Sequence, residues 1–168
     1  MSHAVADFPR ASVGSPPGDP VGARREVLVD PRGLRFAASV TAVVLAVVLL
    51  TGSGWLLGVQ ALVFAVGAIA GVRHSPYGFA FRKLIAPRLG APTHRESATP
   101  PRFAQALGLA FALAGVIGYA SGLGWLGFVA TALAWVAAFL NAAFGFCMGC
   151  ESYLLIRRIF SIRKGVIA

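Results

Sequence analysis

Two long hydrophobic runs without a charged residue dominate the chain, at residues 36–72 and 103–150. As one straight helix, either run would be much longer than the roughly 30 Å hydrocarbon core of a membrane. Each run contains one short segment of small, helix-breaking residues, at 51–54 and at 121–124. The pattern therefore predicts an all-α membrane protein with four transmembrane helices in two hairpins, at about 36–51, 55–72, 103–120 and 125–144.

The polar segment after each hairpin mixes large apolar residues with basic ones, at 76–89 and at 154–158. This mixture is typical of a helix that lies in the membrane surface. We therefore expect a short amphipathic helix at the cytoplasmic interface after each hairpin. The remaining divisions are a disordered cytoplasmic tail at 1–29, a membrane domain at 30–160 and a basic C-terminal tail at 161–168.

Composition agrees with a membrane protein, because 57% of the residues are hydrophobic, 12% are charged and the mean hydropathy is +0.75. The net charge of +9 would suggest a nucleic-acid partner on a soluble fold. Here the basic residues are confined to three segments separated by the charge-free runs. We therefore predict the lipid bilayer as partner and no nucleic acid.

The same basic residues predict the orientation, since Lys and Arg are enriched in cytoplasmic loops. They occur before the first span, between the second and third, and after the fourth, and none lies in a hairpin turn. Both termini and the central loop are thus predicted to be cytoplasmic in a multi-pass protein of the cell membrane. A homo-oligomer is compatible with this arrangement.

The two halves of the chain resemble each other. Gly54-Trp55-Leu56 reappears as Gly124-Trp125-Leu126, and the halves open with Arg35-Phe36 and Arg102-Phe103. These matches fit a parallel duplication of one hairpin and its amphipathic tail. Shared membrane composition is the alternative explanation. Only the second half carries cysteines.

Both cysteines of the protein lie in one motif, Cys147-Met148-Gly149-Cys150, and Glu151 follows directly. Two thiols three residues apart share one face of a helix. A dithiol beside a carboxylate can exchange disulfides, carry sulfur or bind a soft metal. No His follows Cys150, which argues against covalent haem, and two cysteines are too few for a structural zinc site. We predict no cofactor, and any metal would bind Cys147 and Cys150.

The reactivity of these thiols depends on which helix end they occupy. If the glycines at 145 and 149 break the chain, Cys147 opens a new surface helix whose positive end favours the thiolate. If the cysteines instead end the fourth span, the negative helix end and Glu151 disfavour it. The amphipathic segment at 154–158 favours the first geometry. A cytoplasmic location predicts a reduced pair at rest.

Four other polar residues, at span ends or within spans, are candidate partners of the thiols. His74 ends the second span at the cytoplasmic level of the cysteines, where a neutral imidazole could take a proton from a thiol. Asn141 would lie on the opposite side of a continuous helix from Cys150. An interhelical hydrogen bond is the simpler role for Asn141, Gln60 and Gln105.

The chain resembles a family of small bacterial four-span membrane proteins classed as a domain of unknown function. The resemblance covers about 29–158 and rests on the segments at 30–38 and 100–105 and on the stretch from Asn141 through the FCxGCE motif that ends at Glu151. Members are often encoded near thioredoxin-like proteins and sulfurtransferases. The resemblance therefore implies a role in thiol or sulfur chemistry.

Three hypotheses follow. In the first, the chain exchanges disulfides or relays sulfur with a cytosolic thioredoxin-like or sulfurtransferase partner, with Cys147 attacking, Cys150 resolving, and Glu151 or His74 moving the proton. In the second, it is a small transport or metal-handling protein that uses the dithiol as a gate or Cu(I) ligand. In the third, it is a non-catalytic subunit of a membrane assembly.

Overall fold

The described part of the chain is largely helical and contains one short strand pair. The computed structural model describes residues 27–90 and 96–165. The predicted disordered tail therefore lies almost entirely outside the described residues. In chain order the elements are β1 (Leu28–Val29), α1 (Pro31–Thr51), α2 (Gly54–Ile69), α3 (Pro76–Ala80), a π-helical turn (Phe81–Ile85), α4 (Ala86–Leu89), β2 (Glu96–Ser97), α5 (Thr99–Ala120), α6 (Gly124–Phe144) and α7 (Met148–Gly165).

Three of these helices, α1, α5 and α6, are long and apolar enough to cross a membrane. Helix α2 is also apolar but has 16 residues, which is short for a membrane span. The largely helical fold is thus confirmed, and the three long apolar helices are consistent with a membrane protein. The arrangement as four spans in two hairpins remains a prediction.

Helix α1 begins earlier than the predicted start of the first span at residue 36. The Asp30 carboxylate accepts a hydrogen bond from the Arg32 N–H at 2.9 Å, and Pro31 occupies the first helical position, where its missing N–H costs nothing. This cap adds more than a helical turn to α1. The added turn carries Arg35, whose guanidinium donates to carbonyls at the end of α6.

The long helices pair across the two halves of the chain. Helix α1 packs mainly against α6 and α2 mainly against α5, while α5 also packs along α6. Although only two residues join them, α1 and α2 contact each other much less. The pairing of α1 with α6 and of α2 with α5 is what two structurally equivalent halves would produce.

The strand pair shows the same symmetry. Strands β1 and β2 are antiparallel, and Val29 lies opposite Glu96. Arg35 and Arg102 follow these two residues at equal distances along the chain. An antiparallel pair is symmetric about its centre, so the ladder relates the start of α1 to the start of α5. This observation supports the duplication hypothesis.

Helices α5 and α6 approach each other most closely where two glycines face each other. A methyl group on buried Gly118 would overlap the backbone of Gly127, and one on Gly127 would come within 2.7 Å of the Tyr119 ring. Small residues at such a crossing let helix backbones come into contact in a membrane. The crossing holds the two helices that form much of the candidate site.

We predict that Gly118→Ala lowers the stability of the folded protein by about 1–3 kcal/mol, the usual cost of overpacking a close contact. Thermal unfolding in detergent checks this. The matched control is Gly58→Ala, because a methyl group on Gly58 in α2 meets no atom within 4 Å. Equal melting temperatures for the two variants would contradict the close crossing.

Candidate thiol–disulfide site

The site begins where α6 ends. Gly145 has a φ of 70°, and its N–H donates to the Asn141 carbonyl at 3.0 Å, which closes the last turn. The Arg35 guanidinium donates to the carbonyls of Ala142 at 3.4 Å and Ala143 at 3.3 Å. A cation at this position complements the negative end of the helix. The chain can therefore leave α6 three residues before the first cysteine.

The cysteine motif then starts a new helix. Helix α7 begins at Met148, so Cys147 is the residue directly before it. The Cys150 N–H donates to the Cys147 Sγ at 3.3 Å, and the Glu151 N–H donates to the Cys147 carbonyl at 3.0 Å. This is the first of the two geometries predicted from the sequence. A thiolate at Cys147 would gain from the N–H groups and the positive end of α7.

Cys147 and Cys150 form a disulfide, with their Cα atoms 5.2 Å apart. The sequence predicted a reduced pair, on the ground of a cytoplasmic location. The helical turn instead brings the two sulfurs within bonding range, and the Cα separation is an ordinary one for a disulfide. The backbone is thus already arranged for the oxidised form.

The first turn of α7 is held against α5. Gly149 is buried, and a methyl group there would come within 2.6 Å of the Ala104 side chain. Next to it, the rings of Phe103 and Tyr153 lie 5.7 Å apart. Glycine is therefore required between the two cysteines, because a larger residue would push α7 away from the bundle. Gly149 does not break the chain, contrary to one assumption of the sequence analysis.

The cysteine pair lies at an open cavity of about 910 Å³. Its walls come from α1, α5, α6, the start of α7, the strand pair and the segment at 72–82, with Phe64 of α2. Most of the lining side chains are apolar. The polar ones include Thr41, Gln105 and Asn141, and the charged ones are Asp30, Arg35, Arg73, Arg82, Glu96 and Glu151. The volume is in the range of natural sites for small molecules.

The structure brings three of the four predicted site residues together. Cys147, Cys150 and Glu151 all line the cavity. His74 lies in the turn after α2, is exposed and does not line the cavity, and its Nδ1 lies 2.8 Å from the carbonyl of Ala70 at the end of α2. The imidazole is thus engaged with the end of α2 and not with the thiols.

Asn141 belongs to the site, although the sequence analysis placed it on the far side of a continuous helix. The turn at Gly145 ends α6, so the relative direction of Asn141 and Cys150 no longer follows helical periodicity. Gln105 also lines the cavity, and part of its side chain packs over Gly67 of α2. In the sequence, Gly145 itself was the signal for a helix end between Asn141 and the cysteines.

The first half of the chain has an equivalent arrangement without thiols. Arg102 donates to the carbonyls of Ala68 at 3.1 Å and Ile69 at 2.9 Å, at the end of α2. Gly71, with a φ of 92°, lies beside the Arg102 side chain as Gly145 lies beside that of Arg35. The two arginines therefore cap the two helices of the opposite half.

Beyond this cap the halves differ. The Tyr77 hydroxyl donates to the Gln60 carboxamide oxygen at 2.7 Å, and Gln60 is fully buried. Burial raises the pKa of Tyr77, so the hydroxyl stays protonated and keeps donating. Phe81 is buried and packs against Phe36, with ring centroids 5.9 Å apart. Aromatic side chains thus fill the first half where the second half carries the disulfide.

The fold and the site define a largely helical protein with three helices long and apolar enough to cross a membrane and a cysteine pair at the start of α7. The family described as Domain of unknown function (DUF4395) matches residues 29–158, and the chain belongs to this family. No curated protein and no solved structure matches the chain. Within residues 27–90 and 96–165, no group of three His, Cys, Asp or Glu side chains is placed to bind a metal ion.

We predict that Arg35→Met and Arg102→Met lower thermal stability to a similar extent, because each removes a cationic cap from one helix end. Only Arg35→Met should also shift the balance between dithiol and disulfide, since its carbonyl partners lie just before Cys147. Equilibration in glutathione redox buffers, followed by mass-tagging of free thiols, measures this balance. An equal shift in both variants would contradict a specific role for Arg35.

Proposed function

We propose that this chain is a membrane-embedded thiol–disulfide exchange protein whose reactive pair is Cys147 and Cys150. The observation that carries the proposal is the disulfide at the first turn of α7, with the Cys150 N–H donating to the Cys147 sulfur. Vicinal thiols at a helix start are suited to reversible exchange, because the helix end stabilises the thiolate that must attack or leave.

Exchange proceeds through a mixed disulfide. A partner thiolate attacks the Cys147 sulfur, a bond forms between the two, and Cys150 leaves as a thiolate that takes up a proton. A second thiol of the partner then attacks the partner's sulfur in the mixed disulfide, and Cys147 leaves as a thiolate. The partner loses two electrons and two protons, and the pair gains them. The reverse sequence reoxidises the pair at the expense of a partner disulfide.

Glu151 is the proton carrier in this scheme. It lines the same cavity as both cysteines and is exposed, so it can exchange protons with water. Its carboxylate does not need to bind the thiol at rest, since catalytic hydrogen bonds often tighten only in the complex.

The partner is proposed to be a cytosolic thioredoxin-like or sulfurtransferase protein. Both cysteines are partly exposed, and exposed apolar side chains flank them at Phe144, Phe146 and Met148. Contiguous exposed apolar surface often marks a docking site. The positive-inside distribution of Arg and Lys supports a cytoplasmic location for this surface. With a sulfurtransferase, the reduced Cys147 thiolate would instead attack the outer sulfur of the partner's persulfide, and the partner's cysteine would leave as a thiolate.

Redox exchange is favoured over the two alternatives. A Cu(I) site uses thiolates as ligands, whereas the two sulfurs here are bonded to each other. A purely structural subunit would explain the packing of Gly149 against α5 but not a partly exposed cysteine pair at an open cavity. The exchange proposal accounts for both features.

Cys150→Ser should accumulate a stable adduct with one glutathione after reaction with glutathione disulfide, because the resolving thiol is missing. In Cys147→Ser the same reaction should be roughly two- to threefold slower, because about 1 kcal/mol of helix-end stabilisation raises the thiolate fraction at Cys147 about fivefold while the lower basicity of that thiolate offsets about half of the gain on a logarithmic scale. Intact mass spectrometry of the protein in detergent follows both reactions.

The wild-type protein is the control, and it should pass through the adduct to the internal disulfide. Equal rates in the two single variants would refute the assignment of Cys147 as the attacking residue. A wild-type pair that never forms the internal disulfide would refute exchange altogether.

A further inference from the structure

A thiol–disulfide cycle needs a second redox partner that returns the pair to its starting state. Residues that line the cavity beside the disulfide lie in α1, α5 and α6, the three helices that are long and apolar enough to cross a membrane. An oxidant that enters the cavity along the apolar walls on these three helices would be a molecule dissolved in the bilayer. Lipid-soluble quinones are the common membrane molecules that accept two electrons and two protons.

The cavity is accessible to such a molecule. Leu107, Leu133 and Val136 line it and retain 37%, 53% and 43% of their surface exposed. These residues belong to the charge-free parts of α5 and α6, which a bilayer would surround with lipid tails. A molecule in the lipid can therefore reach the cavity without crossing water.

The polar groups of the cavity suit a quinone ring. Asn141 and Gln105 line it from α6 and α5, and a carboxamide N–H is a good donor to a quinone carbonyl. Both side chains are partly exposed at the cavity. Apolar walls with a few polar groups are typical of small-molecule sites.

We propose that the cavity binds a lipid-soluble quinone that oxidises the Cys147–Cys150 dithiol. This inference rests on the proposed function. Both thiols lose a proton and the S–S bond forms. The two electrons and two protons are transferred to the quinone, whose carbonyl oxygens become the hydroxyl groups of the quinol. Electrons then flow from the partner thiol through the cysteine pair into the membrane.

The test uses the full chain in lipid nanodiscs without oxygen. The protein is reduced, freed of reductant and mixed with decylubiquinone, a short-tailed benzoquinone. We expect one quinol per cysteine pair, measured by absorbance, together with the loss of both free thiols in a mass-tag assay. The variant Cys147→Ser/Cys150→Ser should form no quinol.

Two variants separate the cavity from the cysteines. Ala137→Phe adds a ring inside the cavity and should slow quinol formation by about tenfold or more, since the site is filled. Ala110→Phe places the same ring on the exposed face of α5, outside the lining residues, and should react like the wild type. Asn141→Leu is a second cavity variant, used if Ala137→Phe does not give a folded protein.

The glutathione reaction distinguishes this inference from the proposed function. A pair that forms its disulfide with glutathione disulfide but yields no quinol would overturn the quinone site and leave exchange intact. Equal quinol rates in the cavity variant and the Ala110→Phe control would also overturn it. Failure of both reactions would overturn the proposed function as well. For Ala137→Phe, we expect slowed quinol formation and an unchanged reaction with glutathione disulfide.

Discussion

The arrangement of the site depends on how α6 ends. A helix that ends inside or near a membrane leaves carbonyl groups without partners, which is costly where water is scarce. Here the guanidinium of Arg35, from the start of α1, satisfies the carbonyls of Ala142 and Ala143. The glycine at 145 then turns the chain, so that Cys147 lies at the start of α7 and not at the end of α6. If α6 continued through Cys150, the thiols would lie at its negative end.

This interaction recurs in the other half of the molecule with a different outcome. Arg102 caps α2 as Arg35 caps α6, and a positive-φ glycine follows each helix. In the first half, Tyr77 and Phe81 fill the space below the cap. In the second half, the corresponding turn carries the disulfide, beside a cavity that residues of both halves line. A duplicated scaffold that kept its caps in both copies and gained the cysteine pair in one would produce this pattern.

The sequence predicted the helices and their breaks well, because these depend on local composition. The segments at 51–54 and 121–124 do separate helices. The start of a helix directly after Cys147 follows from Gly145, which ends α6. The pairing of α1 with α6 could not be predicted, since uncharged apolar helices carry little information about their neighbours. The roles of Arg35 and Asn141 depend on that pairing and on the turn at Gly145. His74 was predicted as a partner of the thiols because His74 and the cysteines were assigned to the same depth in the membrane. A shared depth does not specify which residues are neighbours.

If Cys147 and Cys150 form a reversible redox pair, their redox state in growing cells will show it. It can be measured by acid quenching and mass-tagging of free thiols before and after an oxidant or sulfur challenge. We expect to find both the dithiol and the disulfide, and we expect the challenge to shift the balance between them. A pair that stays entirely in one state under every condition would rule out reversible redox chemistry.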